Sequence, residues 1–202
     1  DMNKCIMCGK CIRMCAEVQG NSVIDFAYRG FNTKVAPAMD TPYSESNCVF
    51  CGNCVSVCPV GALSEKGMLG KGRKWEIKKV TTTCPYCGCG CTFDLNVKDG
   101  RVIGVTSADG DVNGRALCVK GRFGYGFIHH PDRLKKPLVK KDGRFVEASW
   151  EEAIGLVAAK LKNVKENHGP DAVGILTSAR CTNEDNYLLN KFARAVIGTN
   201  NI

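Results

Sequence analysis

The clearest apolar periodicity lies late in the chain, where Trp150, Ala153, Ile154, Val157, Ala158, Leu161 and Val164 recur at helical spacing. Ser149 precedes this run as an N-cap and Glu152 follows three residues later, so a capping box is expected, and Gly169-Pro170 ends the helix. The short apolar run Ala172–Thr177 then reads as a buried parallel strand, and Thr182 as the cap of a second helix carrying Leu188, Leu189, Phe192, Val196 and Ile197 on one side. Strand–helix alternation of this kind opens an α/β domain without completing a sheet. Upstream the period changes to two: Thr92–Val97 and Arg101–Thr106 flank Asp99-Gly100, a hairpin signal. Lys66–Val80 is rich in glycine and lysine and reads as a linker entering an edge strand. Val23–Phe26 and the turn-rich Tyr28–Asn32 suggest another hairpin with an insertion. The longest apolar stretch, Ala153–Ala159, is far below the roughly 20 residues that cross a bilayer, so no transmembrane segment is expected.

Cysteine changes this picture. Thirteen of the 14 cysteines lie before residue 119. Cys5-x2-Cys8-x2-Cys11-x3-Cys15 and Cys48-x2-Cys51-x2-Cys54-x3-Cys58-Pro59 are one motif written twice, the bacterial-ferredoxin run for [4Fe–4S] clusters. In such runs the first three cysteines surround one cluster and the fourth reaches the other. The expected ligands are therefore Cys5, Cys8, Cys11 and Cys58 for one cluster, and Cys48, Cys51, Cys54 and Cys15 for the second. Gly9 and Gly52 occupy equivalent places where the backbone must pass close to the cluster, while Ala16 stands where the second run has Pro59. Structural zinc and a disulfide framework are the alternatives; zinc usually takes separated pairs or Cys/His mixtures, and disulfides do not need runs gathered on one site.

A third set, Cys84-x2-Cys87-x3-Cys91-x26-Cys118, supplies four more sulfurs around the hairpin. Cys89, between two glycines, is then surplus. The formal charge of +8 invites a nucleic-acid partner. Three thiolate-ligated clusters would bring it to about +2, however, and aromatics do not interleave with a basic stripe, so no nucleic acid is expected. The three histidines, His129, His130 and His168, have no metal-ligand spacing and read as structural or solvated.

The loop Cys84-Pro-Tyr-Cys, the segment Cys118-Val-Lys-Gly-Arg, His130-Pro-Asp-Arg-Leu-Lys-Lys-Pro-Leu and Ser178-Ala-Arg-Cys-Thr-Asn-Glu-Asp-Asn-Tyr together resemble the molybdenum- or tungsten-dependent bis(pyranopterin guanine dinucleotide) oxidoreductases, in particular the large subunit of cytoplasmic formate dehydrogenases. The resemblance covers the whole chain. It implies three [4Fe–4S] clusters, formate/carbon dioxide interconversion at a bis-molybdopterin guanine dinucleotide carrying molybdenum or tungsten, and electron exchange with other iron–sulfur, flavin/NAD or hydrogenase subunits. It also implies that Lys120 lies between the third cluster and a pterin. The metal's own cysteine or selenocysteine ligand is expected after Ile202, so Cys181 reads as a packing residue near the cofactor. The opening Asp1-Met2-Asn3-Lys4, followed at once by Cys5, reads as the interior of a longer polypeptide.

The resulting expectation is an α+β chain. Residues 1–65 form a two-cluster ferredoxin-like domain, 66–80 a linker and edge strand, 81–125 a small β-rich [4Fe–4S] domain, and 126–202 the start of an α/β pyranopterin-binding domain. A freestanding polyferredoxin, or a complex-I-type iron–sulfur subunit without metal–pterin, are the competing functions.

Overall fold

The computed structural model describes residues 1–202 and divides into two compact units, Asp1–His130 and Pro131–Ile202. Helices and small antiparallel sheets are mixed in an α+β arrangement.

In the first unit the short helix α1 (Lys10–Arg13) runs on into a wider turn over Met14–Val18. Strands β1 (Ile24–Ala27) and β2 (Lys34–Pro37) pair antiparallel from Ile24↔Pro37 to Ala27↔Lys34. Helix α2 (Asn53–Ser56) follows. Beneath these elements the apolar core is small, with Ile24, Val35, Ala36 and Ala62 buried. So little apolar area leaves a segment of this size dependent on other cross-links for stability.

Strands β3 (Lys78–Thr83), β4 (Thr92–Lys98) and β5 (Arg101–Ser107) form an antiparallel sheet in sequence order, with β3 at the edge. The β4–β5 turn takes two left-handed residues, Asp99 (φ 49°) and Gly100 (φ 72°), the twist that two-residue hairpins favour. One face of this sheet packs Phe93 and Val105 against Cys84 and Leu117, with Tyr86, Leu95 and Tyr125 at its margin. Truncating Phe93, 4% exposed, would cost about 3–5 kcal/mol. Helix α3 (Val119–Phe123) starts at Cys118 and lies beside β5.

In the second unit β6 (Leu138–Lys141) and β7 (Arg144–Glu147) form a hairpin that the sequence reading missed, although its turn, Asp142-Gly143, has the same chemistry and the same positive φ as Asp99-Gly100. Helix α4 (Trp150–His168) starts at Ser149, whose hydroxyl accepts the Glu152 N–H at 3.1 Å. The expected capping box is not closed: the Glu152 carboxylate instead pairs with Lys141 Nζ at 2.7 Å, an opposite charge it favours over a neutral N–H. Helix α5 (Asn183–Lys191) does carry a full reciprocal box between Thr182 and Asp185, then widens over Phe192–Ile197 and stops at left-handed Gly198.

The expected strand Ala172–Thr177 does not form. A parallel strand exists only with a neighbour to complete its ladder, and here the one cross-chain backbone bond is Ile175 N–H to Asn201 C=O, 2.9 Å. Leu176 is consequently 97% exposed. The apolar stripe of α4 is likewise not fully buried; Trp150, Ile154 and Val157 are exposed, and Ala153, Leu161 and Val164 are half-buried. Within the unit, Val139, Val173, Ala193, Ile197 and Thr199 are buried, and Asp171 accepts from Thr199 Oγ1 at 2.8 Å.

Candidate functional site

Two loops of the first unit repeat each other residue for residue. Met7 and Phe50 take φ of 55° and 51°, Gly9 and Gly52 both take 68°, and a one-turn helix follows with Cys11 or Cys54 at its second position. In each loop an N–H turns inward onto a sulfur: Met7 donates to Cys5 Sγ and Phe50 to Cys48 Sγ, both at 3.4 Å. A third such bond runs from Val23 to Cys15 Sγ. All fourteen thiols are free.

The thiols line two cavities. One, of about 380 Å³ counting space open to solvent, is walled by Cys5, Cys8, Cys11 and Cys58. The other, of about 360 Å³ on the same measure, is walled by Cys15, Cys48, Cys51 and Cys54. Each cavity thus takes three sulfurs from one run and the fourth from the other. The sulfurs surround space and do not meet at a point: no three Cys, His, Asp or Glu side chains approach closely enough to hold a single metal ion.

Burial pushes the Cys54 thiol up to about 11, reinforced by Cys51 and Cys48, and raises Cys11 in the same way. Cys58 goes the opposite way. Burial alone would raise it, yet the nearby N–H groups of Leu63, Val60, Ala62 and Gly61 favour the thiolate and together bring it below the ordinary thiol value. Tyr43 lines the second cavity, and its hydroxyl is buried with no hydrogen-bond partner. An orphaned O–H beside four thiols fits a site made to hold a group with acceptor atoms, as the sulfides of a cluster are.

The third group of thiols is built on the loop that joins β3 to β4. The Cys84 N–H donates to the Cys91 carbonyl at 2.8 Å and closes the loop between them. Cys84 belongs to the core, and burial raises its thiol, with Cys118, Cys87 and Cys89 as charged neighbours. Cys118 returns as the N-cap of α3, whose Gly121 lies beside Cys84 Sγ. Five thiols gather here, not four. Cys89, set aside on sequence grounds, lies 3.6 Å sulfur to sulfur from Cys91, whose thiol is pushed up to about 11 by burial and then by Cys89. Lys120 is exposed on α3. Cys181 is in the other unit, exposed, in the turn that precedes α5. His129 has a structural role, its Nε2 accepting the Val102 N–H at 2.9 Å.

Sequence reasoning missed Tyr43, Asn53 and Arg122. Arg122, within Cys118-Val-Lys-Gly-Arg, is 3% exposed and donates to the Cys51 carbonyl, to Asn53 and to Ser107. Its only sequence signal is its place four residues after a candidate ligand. For Tyr43 and Asn53 no periodicity distinguishes a cavity wall from a loop.

Comparison with known proteins divides the chain into three consecutive matches. Residues 1–64 match the ferredoxin-like domain of NADH-quinone oxidoreductase subunit 3, residues 77–130 the Fe4S4 domain of molybdopterin oxidoreductase, and residues 133–202 molybdopterin oxidoreductase itself. A Staphylococcus aureus (strain MRSA252) protein named "Putative formate dehydrogenase" and a Bacillus subtilis (strain 168) protein named "Probable oxidoreductase" are each 37% identical over the whole of this chain. The chain spans about a quarter of the length of these curated relatives, 24% in both cases. With its Fe4S4 and molybdopterin segments adjoining in one polypeptide behind a ferredoxin-like segment, the chain belongs to the molybdopterin oxidoreductase family.

Proposed function

We propose that this chain is the electron-transfer part of a formate dehydrogenase catalytic subunit, with three [4Fe–4S] clusters that carry electrons between a molybdenum or tungsten pterin site and partner proteins. The observation that carries the reading is the crossed lining of the two cavities by the two cysteine runs. Cys5, Cys8, Cys11 and Cys58 would hold one cluster, Cys48, Cys51, Cys54 and Cys15 the second, and Cys84, Cys87, Cys91 and Cys118 the third. A multi-atom cluster needs sulfurs spread around a cavity, where tetrahedral zinc would need them close around one ion. On this reading residues 1–65 form the two-cluster domain, 66–80 a linker and edge strand, 81–125 the third-cluster domain, and 126–202 the opening of the pterin-binding domain.

When bound, the metal–pterin supplies the two-electron chemistry of formate and carbon dioxide. The cysteines of this chain would hold the clusters that divide that pair, because each cubane carries one electron. Lys120, exposed two residues after Cys118, is the residue of this chain we assign toward the pterin, where an ammonium beside a thiolate-ligated cluster would offset negative charge. Other iron–sulfur, flavin/NAD or hydrogenase subunits would receive the electrons. The similarity to relatives named as formate dehydrogenases supports the substrate, a cytoplasmic location is part of the same proposal, and no helix is long and apolar enough to cross a membrane.

Iron, acid-labile sulfide and molybdenum or tungsten analysis of the full-length protein tests this reading, followed by formate-dependent dye reduction. Twelve irons per chain segment, one molybdenum or tungsten and formate-driven reduction are expected. Iron without either heavier metal would favour a complex-I-type subunit, to which the match of residues 1–64 also points, or a freestanding polyferredoxin.

A further inference from the structure

A relay needs its sites held in register and poised electrostatically, and one side chain joins the second and third groups of thiols. The Arg122 guanidinium donates from Nε to the Cys51 carbonyl at 2.8 Å, and from Nη2 to Asn53 Oδ1 at 3.0 Å and Ser107 Oγ at 3.1 Å. Asn53, 1% exposed, also accepts the Leu117 N–H at 3.1 Å and donates to Gln19 Oε1 at 3.1 Å. Cys51 and Cys54 flank Asn53 in the second run, while Leu117 and Arg122 bracket Cys118 of the third set. One buried cation is therefore bonded to the loop of one site while riding on the helix that starts at a thiol of the next.

Gly52 keeps this contact possible. A Cβ there would overlap Arg122 Cδ and come within 2.7 Å of the Phe123 ring. The three hydrogen-bond partners of Arg122 are neutral, and a guanidinium stays charged in a protein. The carboxylate that feels it, Glu65, is hydrogen-bonded to Tyr125 Oη at 2.8 Å. No carboxylate pairs directly with Arg122, so its charge, offset in part by Glu65, still acts on whatever the adjoining thiols hold.

We infer that Arg122 is the positioning residue that locks the second and third iron–sulfur sites together and holds the reduction potential of the second site up through its buried positive charge. The inference rests on the cluster assignment proposed above. Reducing a cubane adds one electron and no atom, taking a four-thiolate cluster from about −2 to about −3 in net charge. A fixed cation beside it favours the added charge, with dithionite as the reductant in the test.

The test is an EPR-monitored redox titration of the full-length, cluster-loaded protein and its Arg122→Gln and Arg122→Lys variants. Arg122→Gln should lower the reduction equilibrium constant of the second site about tenfold, about 59 mV for a one-electron couple. Arg122→Lys, which keeps the charge but loses the fork, should stay within about threefold of the parent. Equal falls in both variants would assign the effect to hydrogen-bond geometry and overturn the electrostatic role. A parent-like potential in Arg122→Gln, with full iron content, would overturn the proposal altogether. If Arg122→Gln fails to load its clusters, Asn53→Asp decides: this near-isosteric carboxylate neutralises Arg122 in place and should lower the same potential, and an unchanged potential there overturns the inference. A parent protein without iron and sulfide would instead overturn the cluster assignment, and the inference with it.

Discussion

Gly9 and Gly52 offer a controlled comparison, because their backbones are the same and their surroundings are not. Both sit at φ 68°, so an alanine at either position should cost about 1–2 kcal/mol for the left-handed conformation alone. At Gly9 the new Cβ would meet the terminal Nη1 of Arg13 at 3.2 Å, the free end of a flexible side chain that can swing aside. At Gly52 it would strike the middle of the Arg122 side chain, whose far end is pinned by three hydrogen bonds, and the Phe123 ring at 2.7 Å. Arg122 cannot move without breaking the Cys51, Asn53 or Ser107 bond, so overpacking should add about 1–3 kcal/mol at Gly52 only. Unfolding of a cluster protein is effectively irreversible, so the assay is kinetic: loss of visible cluster absorbance in denaturant under anaerobic conditions. If the strain is released in the rate-limiting opening, Gly52→Ala should lose its clusters about 5- to 150-fold faster than Gly9→Ala. Adding Phe123→Ala to Gly52→Ala should recover part of the difference. Equal rates for the two single variants would refute the reasoning.

Crossed lining predicts crossed loss: Cys15→Ser, in the first run, should abolish the EPR signal of the second site, and Cys58→Ser that of the first, each with a loss of about four irons; loss confined to the cluster of the same run would refute it. Tyr43→Phe should lower the second site's reduction equilibrium about fivefold, the worth of one hydrogen bond of about 1 kcal/mol, while leaving the cluster-free protein no less stable because the hydroxyl has no protein partner; an unmoved potential in redox titration would show that the O–H does not face the cluster. In cluster-free protein Cys58 should alkylate below the ordinary thiol range, since nearby N–H groups favour its thiolate, whereas Cys54, pushed up to about 11, should react only in strong alkali. Mass-spectrometric mapping across a pH series checks the order, and Cys54 labelling first would overturn it.

What the sequence made legible was local. The repeated runs, the left-handed glycines, the Asp99-Gly100 turn and the caps Ser149 and Thr182 are each written within a few residues, and the structure builds them all. What it obscured depends on partners far along the chain. Nothing near Asn53 reveals that it accepts from Arg122, 69 residues away, or from Leu117, 64 away. The run Ala172–Thr177 has strand composition but no ladder beside it, and the capping box at Ser149 lost its Glu152 to Lys141 on a hairpin that was not anticipated. Asp142-Gly143 was readable by the rule applied to Asp99-Gly100; four-residue strands made it easy to pass over. Cys89 was set aside by counting to four, and only the folded loop reveals how near it stands to Cys91.

The exchange of walls between the two cavities also bears on how the protein is made. The first cavity lacks its fourth side until Cys58 has been synthesised, and the second cannot begin before Cys48 although its Cys15 lies 33 residues earlier (48 − 15) in the chain. At about 5–20 residues per second a ribosome needs roughly 2–10 s to travel from Cys11 to Cys58. During that interval the first-run thiols are reduced, uncovered and exposed to stray metal or oxidant. On the cluster assignment proposed above, delivery of iron and sulfide to this segment would wait for the nascent chain, and then serve both sites almost at once.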